Sequence, residues 1–388
     1  MARLHLIFPK GTIFDEQGNL YDGVFDLLDE CEKSNYSYTF ITHDVSRSKE
    51  YSQRLKEATG IEKEFHSRRK LKEGLRKHKE SAMIKTTIII GSSDDDLHIA
   101  ANNKLLLINP QWSYICEEKP LKYGFSLGTP YILIRMLKII ENQNKWYYEL
   151  KLDEKSTVYA LTSANNNIAS ETESVMIDRF RSLLKSGDRT FFEALFFHLI
   201  SGIMKSDALR KITIWGIMPS SGITLNKDML EIKERCRYLT NGRNQKPLLL
   251  RHTPVEKSRH TNPRDRLNIG AKKHLESIQI NPEYRGKIVG KTVCILDDYV
   301  TNGCSFEAVR NLLMAAGAEK VYFVALGRFR KGALGVYQKE EYYIEGNIYG
   351  NNYLSTRTSI DSEFGRNGNY NHEAREEVEN IYEILKSD

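Results

Sequence analysis

Two adjacent carboxylates and a short run of small residues are the clearest candidates for chemistry in this chain. Asp297 and Asp298 end an apolar run, and the segment TNGCS (Thr301–Ser305) follows almost at once. Carboxylate oxygens accept hydrogen bonds from neighbouring hydroxyls, such as two on a sugar ring. Small residues opening a helix let backbone N–H groups converge on an anion, and the helix dipole favours negative charge there. The pattern predicts a site for a sugar phosphate.

The flanking segments have the pattern needed to position these groups. KTVCIL (Lys291–Leu296) is a near-continuous apolar run, as strands buried in parallel sheets are. SFEAVRNLLMAAGA (Ser305–Ala318) has helical spacing, and KVYFVALG (Lys320–Gly327) is again strand-like. Open α/β sheets bind ligands at the carboxyl ends of their strands. The acid pair and the small-residue run are therefore predicted to lie at such an edge.

This strand, loop and helix resemble the signature of type I phosphoribosyltransferases, in which two acids precede a T-T-G-x-T/S loop. Asn302 stands here for the second Thr and Cys304 for a small residue, and both can still present backbone amides. The resemblance implies that Asp297 and Asp298 bind the ribose hydroxyls of phosphoribosyl pyrophosphate (PRPP). It also implies Mg²⁺ as cofactor, held indirectly by both aspartates through ribose hydroxyls or water. The 5′-phosphate would be bound by Thr301, Asn302, Gly303, Cys304 and Ser305. The alternative is an acidic strand-to-helix turn in another α/β protein.

Groups for the pyrophosphate are predicted upstream of this loop. ITIWGIMPSSG resembles the pyrophosphate loop of the same fold, with backbone amides from Ser220, Ser221 and Gly222. The basic, Pro-punctuated stretch at 251–266 resembles the ComF-type subgroup. By this resemblance, Arg251, Lys257 and Arg266 would contact the pyrophosphate. Arg266 would also have a catalytic role. The alternative for the segment ITIWGIMPSSG is a plain turn, and the alternative for residues 251–266 is a solvated basic loop.

Three motifs near the N-terminus resemble the haloacid-dehalogenase (HAD) superfamily. They are LHLIFPKGTIFDEQGNLYDGV, FITHD and IIIGSSDDDLHIAANNKLLLI, matching its first, second and fourth motifs. That family attacks phosphate with an Asp and protonates with another, but Phe8 and Lys10 occupy those positions here. A phenyl ring is no nucleophile, and Lys10 replaces an acidic Mg²⁺ ligand. Thr42 and Asp96 remain, whereas Ser92 replaces an acid. The resemblance therefore predicts a HAD-like fold without phosphotransfer, with residual phosphatase activity dependent on Asp96 as the alternative.

Alternating strand and helix patterns predict an α/β fold with two domains built on parallel sheets. One would be a HAD-like Rossmannoid domain at residues 1–118, and the other a type I phosphoribosyltransferase domain at 206–330. Residues 119–205 are predicted to form a mostly helical connector that provides the hood over the acceptor. Residues 331–388 would form a C-terminal extension with a final helix, which could serve as an oligomer interface.

The remaining sequence features concern the cellular compartment and the possible partners of the protein. Five scattered cysteines form no CxxC pair, which predicts a reduced, cytoplasmic protein. No apolar run reaches the roughly 18–20 residues of a membrane span, so no membrane association is expected. The run SRRKLKEGLRKHKE (Ser67–Glu80) is strongly basic. It is either a solvated helix face or a contact for nucleic acid or nucleotide.

These features predict an enzyme that transfers phosphoribosyl from PRPP with Mg²⁺, beside a silent HAD-like domain. The acceptor stays open: a base, a nucleotide or a nucleic acid. A different class of function is a non-catalytic sensor, in which the same pocket binds PRPP or a nucleotide and controls a partner. A fusion of this kind would suit a bacterial accessory system such as stress response or phage defence.

Overall fold

The computed structural model describes residues 3–143, 146–164, 189–222, 225–255, 263–329 and 335–387. The strands in these ranges are β1 (His5–Pro9), β2 (Ser37–Thr42), β3 (Phe65–Ser67), β4 (Thr87–Ile90), β5 (Leu106–Pro110), β6 (Phe125–Leu127), β7 (Tyr148–Lys151), β8 (Ser156–Ser163), β9 (Ile214–Ile217), β10 (Leu249–Arg251), β11 (Ile278–Ile280), β12 (Thr292–Val300), β13 (Lys320–Arg328), β14 (Lys339–Asn347), β15 (Asn352–Asp361) and β16 (Asn369–Tyr370).

The helices in the same ranges are α1 (Val24–Lys33), α2 (Ser48–Thr59), α3 (Arg68–Lys77), α4 (Asp94–Asn103), α5 (Glu118–Tyr123), α6 (Pro130–Asn142), α7 (Arg189–Lys205), α8 (Lys227–Leu239), α9 (Pro263–Ile269), α10 (Lys272–Leu275), α11 (Cys304–Ala315) and α12 (His372–Lys386). None of the described helices is both long and apolar enough to cross a membrane. The predicted final helix is α12.

The first sheet is fully parallel, in the order β3-β2-β1-β4-β5-β6. Its central strands are apolar along their length because helices cover both faces, as in β4, where every residue is buried. The sheet does not end at the predicted boundary, residue 118. It continues through β6, which pairs with β5.

The second sheet has the order β16-β7-β8-β13-β12-β9 and is mixed. Strands β8, β13, β12 and β9 are parallel, whereas β7 is antiparallel to β8 and β16 to β7. A four-residue connection joins β7 to β8, which is too short for a parallel crossover. The predicted α/β class with two sheets is confirmed, but the second sheet is only partly parallel.

Residues 119–205, predicted as mostly helical, supply strands to both sheets. Strand β6 joins the first sheet, and β7 and β8 join the second. Residues 165–188 of this segment lie outside the described part of the structure. Helix α7 packs against β5 and β8 and is buried along nearly all its length. It is apolar all round because it is enclosed between the two sheets.

Two hydrophobic cores flank the second sheet. One fills the space between the sheets and includes Phe197 of α7 together with Leu296 of β12. The other covers the opposite face and includes Ile295, Phe306 of α11 and Tyr337. Successive residues of β12 thus contribute to opposite cores, as the alternation of side chains along a strand requires. This packing on both faces fixes the end of β12, where the predicted site begins.

Candidate functional site

The acid pair lies where the sequence predicts, near the carboxyl end of β12. This strand runs between β9 and β13, with Asp297 beside Ala325. Both aspartates are half-buried. Asp297 Oδ1 accepts from the backbone N–H of Asp298 at 2.9 Å, and Asp298 Oδ1 accepts from that of Tyr299 at 2.7 Å. The hydrogen bond to one oxygen orients each carboxylate, and the second oxygen could accept a hydrogen bond from a ligand hydroxyl.

The ionisation of Asp297 is affected by its surroundings. Burial raises the pKa of Asp297 well above its usual range, and the adjacent negative charge of Asp298 raises it further. A hydrogen bond from the Ser305 side chain opposes this rise in the pKa. A cation or hydroxyl donor arriving at the pair would relieve the repulsion between the two charges.

We expect Asp297→Asn to stabilise the ligand-free protein. A carboxyl whose pKa is raised on folding stabilises the fold while protonated, and that contribution is lost as pH rises through the folded-state pKa. The substitution should raise the free energy of unfolding by about 0.5–2 kcal/mol at about pH 8, and less at about pH 5. Urea denaturation at the two pH values measures this. A variant less stable than wild type at the higher pH would contradict it.

The predicted phosphate loop at Thr301–Ser305 forms the N-terminus of α11. Gly303 is the N-cap residue and has a left-handed φ of 77°. In the described part of the chain, the backbone N–H groups of Gly303 and Ser305 have no acceptor. Unpaired N–H groups and the positive end of the helix dipole together favour an anion. The side chains of Thr301 and Ser305 are half-buried, and the three residues between them are buried.

Asn302, the residue that departs from the signature, faces the C-terminal extension. Its side-chain amide donates to the carbonyl of Val336 at 2.9 Å, and its own carbonyl accepts from the backbone N–H of Gln338 at 2.9 Å. We call residues 335–342 the C-terminal strap. Asn302 could contribute its backbone amide to an anion, but its side chain holds the strap. The sequence predicts only the first of these roles.

Tyr337 of the strap covers the loop. A Cβ added to Gly303 would lie 2.1 Å from Tyr337 Cε2, so only glycine fits beneath the ring. The Tyr337 hydroxyl donates to Glu307 Oε1 at 2.6 Å. Glu307 is fully buried on α11, one turn after the loop. The strap is therefore an integral part of the loop's structure.

A buried ionic network fastens the strap to α11 and to the segment carrying α9. Arg310 donates to Glu307 Oε2 through Nε at 3.0 Å and Nη2 at 2.7 Å. The same Nη2 donates to the backbone carbonyl of Glu340 at 2.7 Å. The Glu340 side chain accepts from the backbone N–H of Ala271 at 3.1 Å. Glu307 and Arg310 are neighbours on one helix, but the links to Glu340 and Ala271 span 30 and 69 residues, so the sequence gives no sign of the complete network.

Arg328 is a further residue that the sequence analysis does not single out. It ends β13 and is buried, with 1% of its surface exposed. Its guanidinium donates to the carbonyls of Val300 at 3.2 Å, Gly335 at 2.7 Å and Thr301. It thus joins the end of β12, the phosphate loop and the strap. A charged residue ending an otherwise apolar strand is the signal that could have identified it.

Arg251 lies behind the turn predicted to bind pyrophosphate. Its guanidinium donates to the carbonyls of Pro219 at 3.3 Å and Ser220 at 2.7 Å, and to Ser277 Oγ at 2.5 Å. Burial lowers its pKa to about 10, against the opposing effect of the Asp297 charge. The structure gives Arg251 a role in holding the turn beside the acid pair. Its contact with pyrophosphate stays a prediction.

The other predicted pyrophosphate groups are only partly described. Ser221 and Gly222 are half-buried in the turn after β9, and Ser220 is exposed there. Lys257 lies outside the described residues, and Arg266 belongs to α9 but its side chain lies outside them. The strap orients α9, because Gln338 Nε2 donates to the carbonyl of Leu267 at 2.9 Å.

The donor set fits an indirectly held Mg²⁺. No group of three or more potential metal ligands occurs among the described residues. Asp297 and Asp298 offer two carboxylates, whereas Mg²⁺ prefers six oxygens and commonly takes several from water and substrate phosphates. A ligand rich in phosphate oxygens would therefore have to complete its coordination.

In the segments that resemble HAD motifs, the residues predicted to be inactive pack against their neighbours. Phe8, at the nucleophile position, is buried against Tyr38 and Phe40, with ring centroids 6.4 and 6.0 Å away. Lys10 donates to the hydroxyl of Tyr114 at 3.3 Å. Thr42 accepts from the backbone N–H of Asp44 at 3.1 Å and so stabilises its own turn.

The acid that remains in the fourth motif is already paired. Asp96 Oδ1 lies 2.5 Å from Arg68 Nη1, and both side chains are buried. Asp96 Oδ2 accepts from the backbone N–H of Ser93 at 3.1 Å and from its hydroxyl at 2.8 Å, completing a capping box on α4. Ser92 donates to the hydroxyl of Ser113 at 3.1 Å. These contacts give Asp96 and Ser92 structural roles that require no phosphate chemistry.

Comparison with known proteins adds no assignment. No model of a protein family matches the chain, and no curated protein matches it either.

Proposed function

We propose that this protein is a phosphoribosyltransferase that uses PRPP and Mg²⁺. One observation carries the proposal: the Asp297–Asp298 pair, near the end of a buried parallel strand, is followed within a few residues by a helix N-terminus with unpaired amides. The pair suits vicinal ribose hydroxyls, and the helix N-terminus suits a phosphate. The link between the two is short, so one ribose 5-phosphate would reach both.

The roles of the surrounding residues follow from what they hold. Ser305 and the amide of Gly303 would bind the 5′-phosphate. The turn at 220–222, held by Arg251, would face the pyrophosphate, with Lys257 and Arg266 as its cations. Mg²⁺ would neutralise charge on the leaving pyrophosphate. The protein's contribution would be positioning and charge stabilisation, which dominate such displacements.

The HAD-like domain would take no part in phosphotransfer. The argument rests on the buried phenyl ring of Phe8 at the nucleophile position and on the buried pairing of Asp96 with Arg68. Neither arrangement leaves a carboxylate to attack or to protonate.

Calorimetric titration of the whole chain with PRPP and Mg²⁺ tests the proposal. We expect binding that disappears when Asp297→Ala and Asp298→Ala are combined. A non-catalytic sensor is the alternative, because the same pocket could bind without reacting. It predicts the same binding but no release of pyrophosphate when bases, nucleotides or nucleic acids are supplied as acceptors.

A further inference from the structure

Helix α3 presents a basic face that the proposed transferase chemistry does not use. Of its ten residues, RRKLKEGLRK, six are Lys or Arg and one is acidic. Ser67 caps the helix by accepting from the backbone N–H of Lys70 at 3.1 Å. Leu75 is buried and Leu71 packs against the core, so these leucines attach the helix to the domain. Arg68 is directed inward to Asp96, and the other five cations of the helix are exposed.

Most of this charge has no counter-charge. In the described structure, Arg68 pairs with Asp96 and Arg69 with Glu73. Among the residues that the structure describes, no carboxylate lies within 4 Å of the other four cations, which are all exposed: Lys70, Lys72, Arg76 and Lys77.

The neighbouring helix α2 shows the contrast. It also carries several cations, but its chain neighbourhood supplies acids for them. Arg54 lies 3.0 Å from Glu50, and Lys56 lies 2.5 Å from Glu62. A helix face that is only solvated carries cations and acids side by side, as α2 does. The face of α3 instead carries an unbalanced positive field, which attracts polyanions.

Both cations and acids lie beyond α3, toward the second sheet. Exposed Lys79 follows the helix. Lys104 donates a hydrogen bond to the backbone carbonyl of Arg210. This bond joins the two halves of the chain. Burial lowers the pKa of Lys104, and the positive charges of Arg210 and Lys79 lower it further. The charges of Asp207 and Glu80 oppose the lowering of the pKa of Arg210 by burial, so acids accompany these cations and the unbalanced positive charge is that of α3 itself.

The exposed face of α3 has no apolar residues that could insert into a membrane, so the polyanion that it fits is a nucleic acid. A helix lying on a bilayer inserts an apolar face between headgroups. The apolar residues of α3, Leu71 and Leu75, are already packed against the domain. Phosphates of a nucleic-acid strand need only the cations. A ten-residue helix is about 15 Å long, which spans about four phosphates of one strand.

We propose that the exposed face of α3 binds the phosphate backbone of a nucleic acid without reading its sequence. Lys70, Lys72, Arg76 and Lys77 make the contacts. No aromatic side chain lies in α3 to stack on bases, so affinity arises from phosphate contacts and counterion release. This surface does not depend on the transferase assignment.

Fluorescence anisotropy of a labelled 20-nucleotide single-stranded RNA, measured against salt concentration, tests the proposal. Four contacts predict a slope of log K against log salt of about −3. Lys72→Gln combined with Arg76→Gln should reduce the steepness by about 1.4 and weaken binding roughly 25-fold at about 0.1 M salt. The matched control is Lys33→Gln with Lys246→Gln, exposed cations that already have acids nearby at 2.5 and 3.6 Å.

The control removes the same net charge but should leave the slope unchanged. Glutamine suits an exposed helix, so thermal melts should agree among the three proteins. Absence of RNA binding at low salt, or equal slopes in the α3 and control variants, would overturn the proposal. So would binding of the intact chain to vesicles containing phosphatidylserine but not to RNA.

Discussion

Gly303→Ala is expected to destabilise the protein by about 2–4 kcal/mol, combining left-handed strain with over-packing. The added Cβ would lie 2.1 Å from the Tyr337 ring, at a φ of 77°. Tyr337 cannot retreat easily, because its hydroxyl is bonded to buried Glu307. Urea denaturation monitored by circular dichroism measures the loss.

Gly60→Ala is the matched control for this substitution. Gly60 also has a left-handed φ, 76°, but a Cβ there would meet nothing within 4 Å. Its expected cost is therefore only the left-handed strain, about 1 kcal/mol. Equal losses at Gly60 and Gly303 would show that the strap does not press on the loop.

Glu307→Ala is expected to cost about 3–5 kcal/mol of stability, the usual effect of removing one partner from a buried ion pair. The change leaves the Arg310 guanidinium buried, where 3% of the side chain is exposed. It also removes the acceptor of the Tyr337 hydroxyl and of the backbone N–H of Glu340. The strap should loosen along with the network, so limited proteolysis would then cleave near residues 335–342.

The control is Glu345→Ala on exposed β14, expected to change stability by less than about 0.5 kcal/mol. In Glu307→Ala, Arg310 keeps the carboxylates of Glu341 at 3.0 Å and Asp153 at 3.5 Å but loses the closest one. Combining Glu307→Ala with Arg310→Met should recover part of the loss, because the buried guanidinium that has lost its closest partner is gone. A loss below about 1 kcal/mol for Glu307→Ala alone would contradict the account of the strap.

Local sequence pattern predicts the centre of the fold well. The apolar runs of β4 and β12 are buried on both faces, so composition alone identifies them as parallel strands. The hairpin of β14 and β15 is not predicted, because much of it is exposed and its residues mix Glu, Tyr, Thr and Asn. Strand β8 escapes prediction for another reason: its buried apolar interior is short and lies between polar residues at both ends.

The same division applies to the site. The acid pair and its loop are contiguous, so their spacing predicts the arrangement at the end of β12. Tyr337 and Arg328 reach the loop only through the fold, and no local signal marks Tyr337. Glu307 looks in sequence like an ordinary acid in the first turn of a helix. Its burial and its bond to Arg310 become visible only when the strap is in place.

The most direct test of the central claim is isothermal titration of the full chain with PRPP in the presence and absence of Mg²⁺. Three proteins should be compared: wild type, Asp297→Ala with Asp298→Ala, and Asp94→Ala with Asp95→Ala. The last pair is also acidic and adjacent but lies at the start of α4. We predict Mg²⁺-dependent binding to wild type and to the α4 variant, and none to the Asp297 and Asp298 variant. Absence of binding to wild type, or equal binding to all three, would contradict the assignment of a PRPP site to the end of β12.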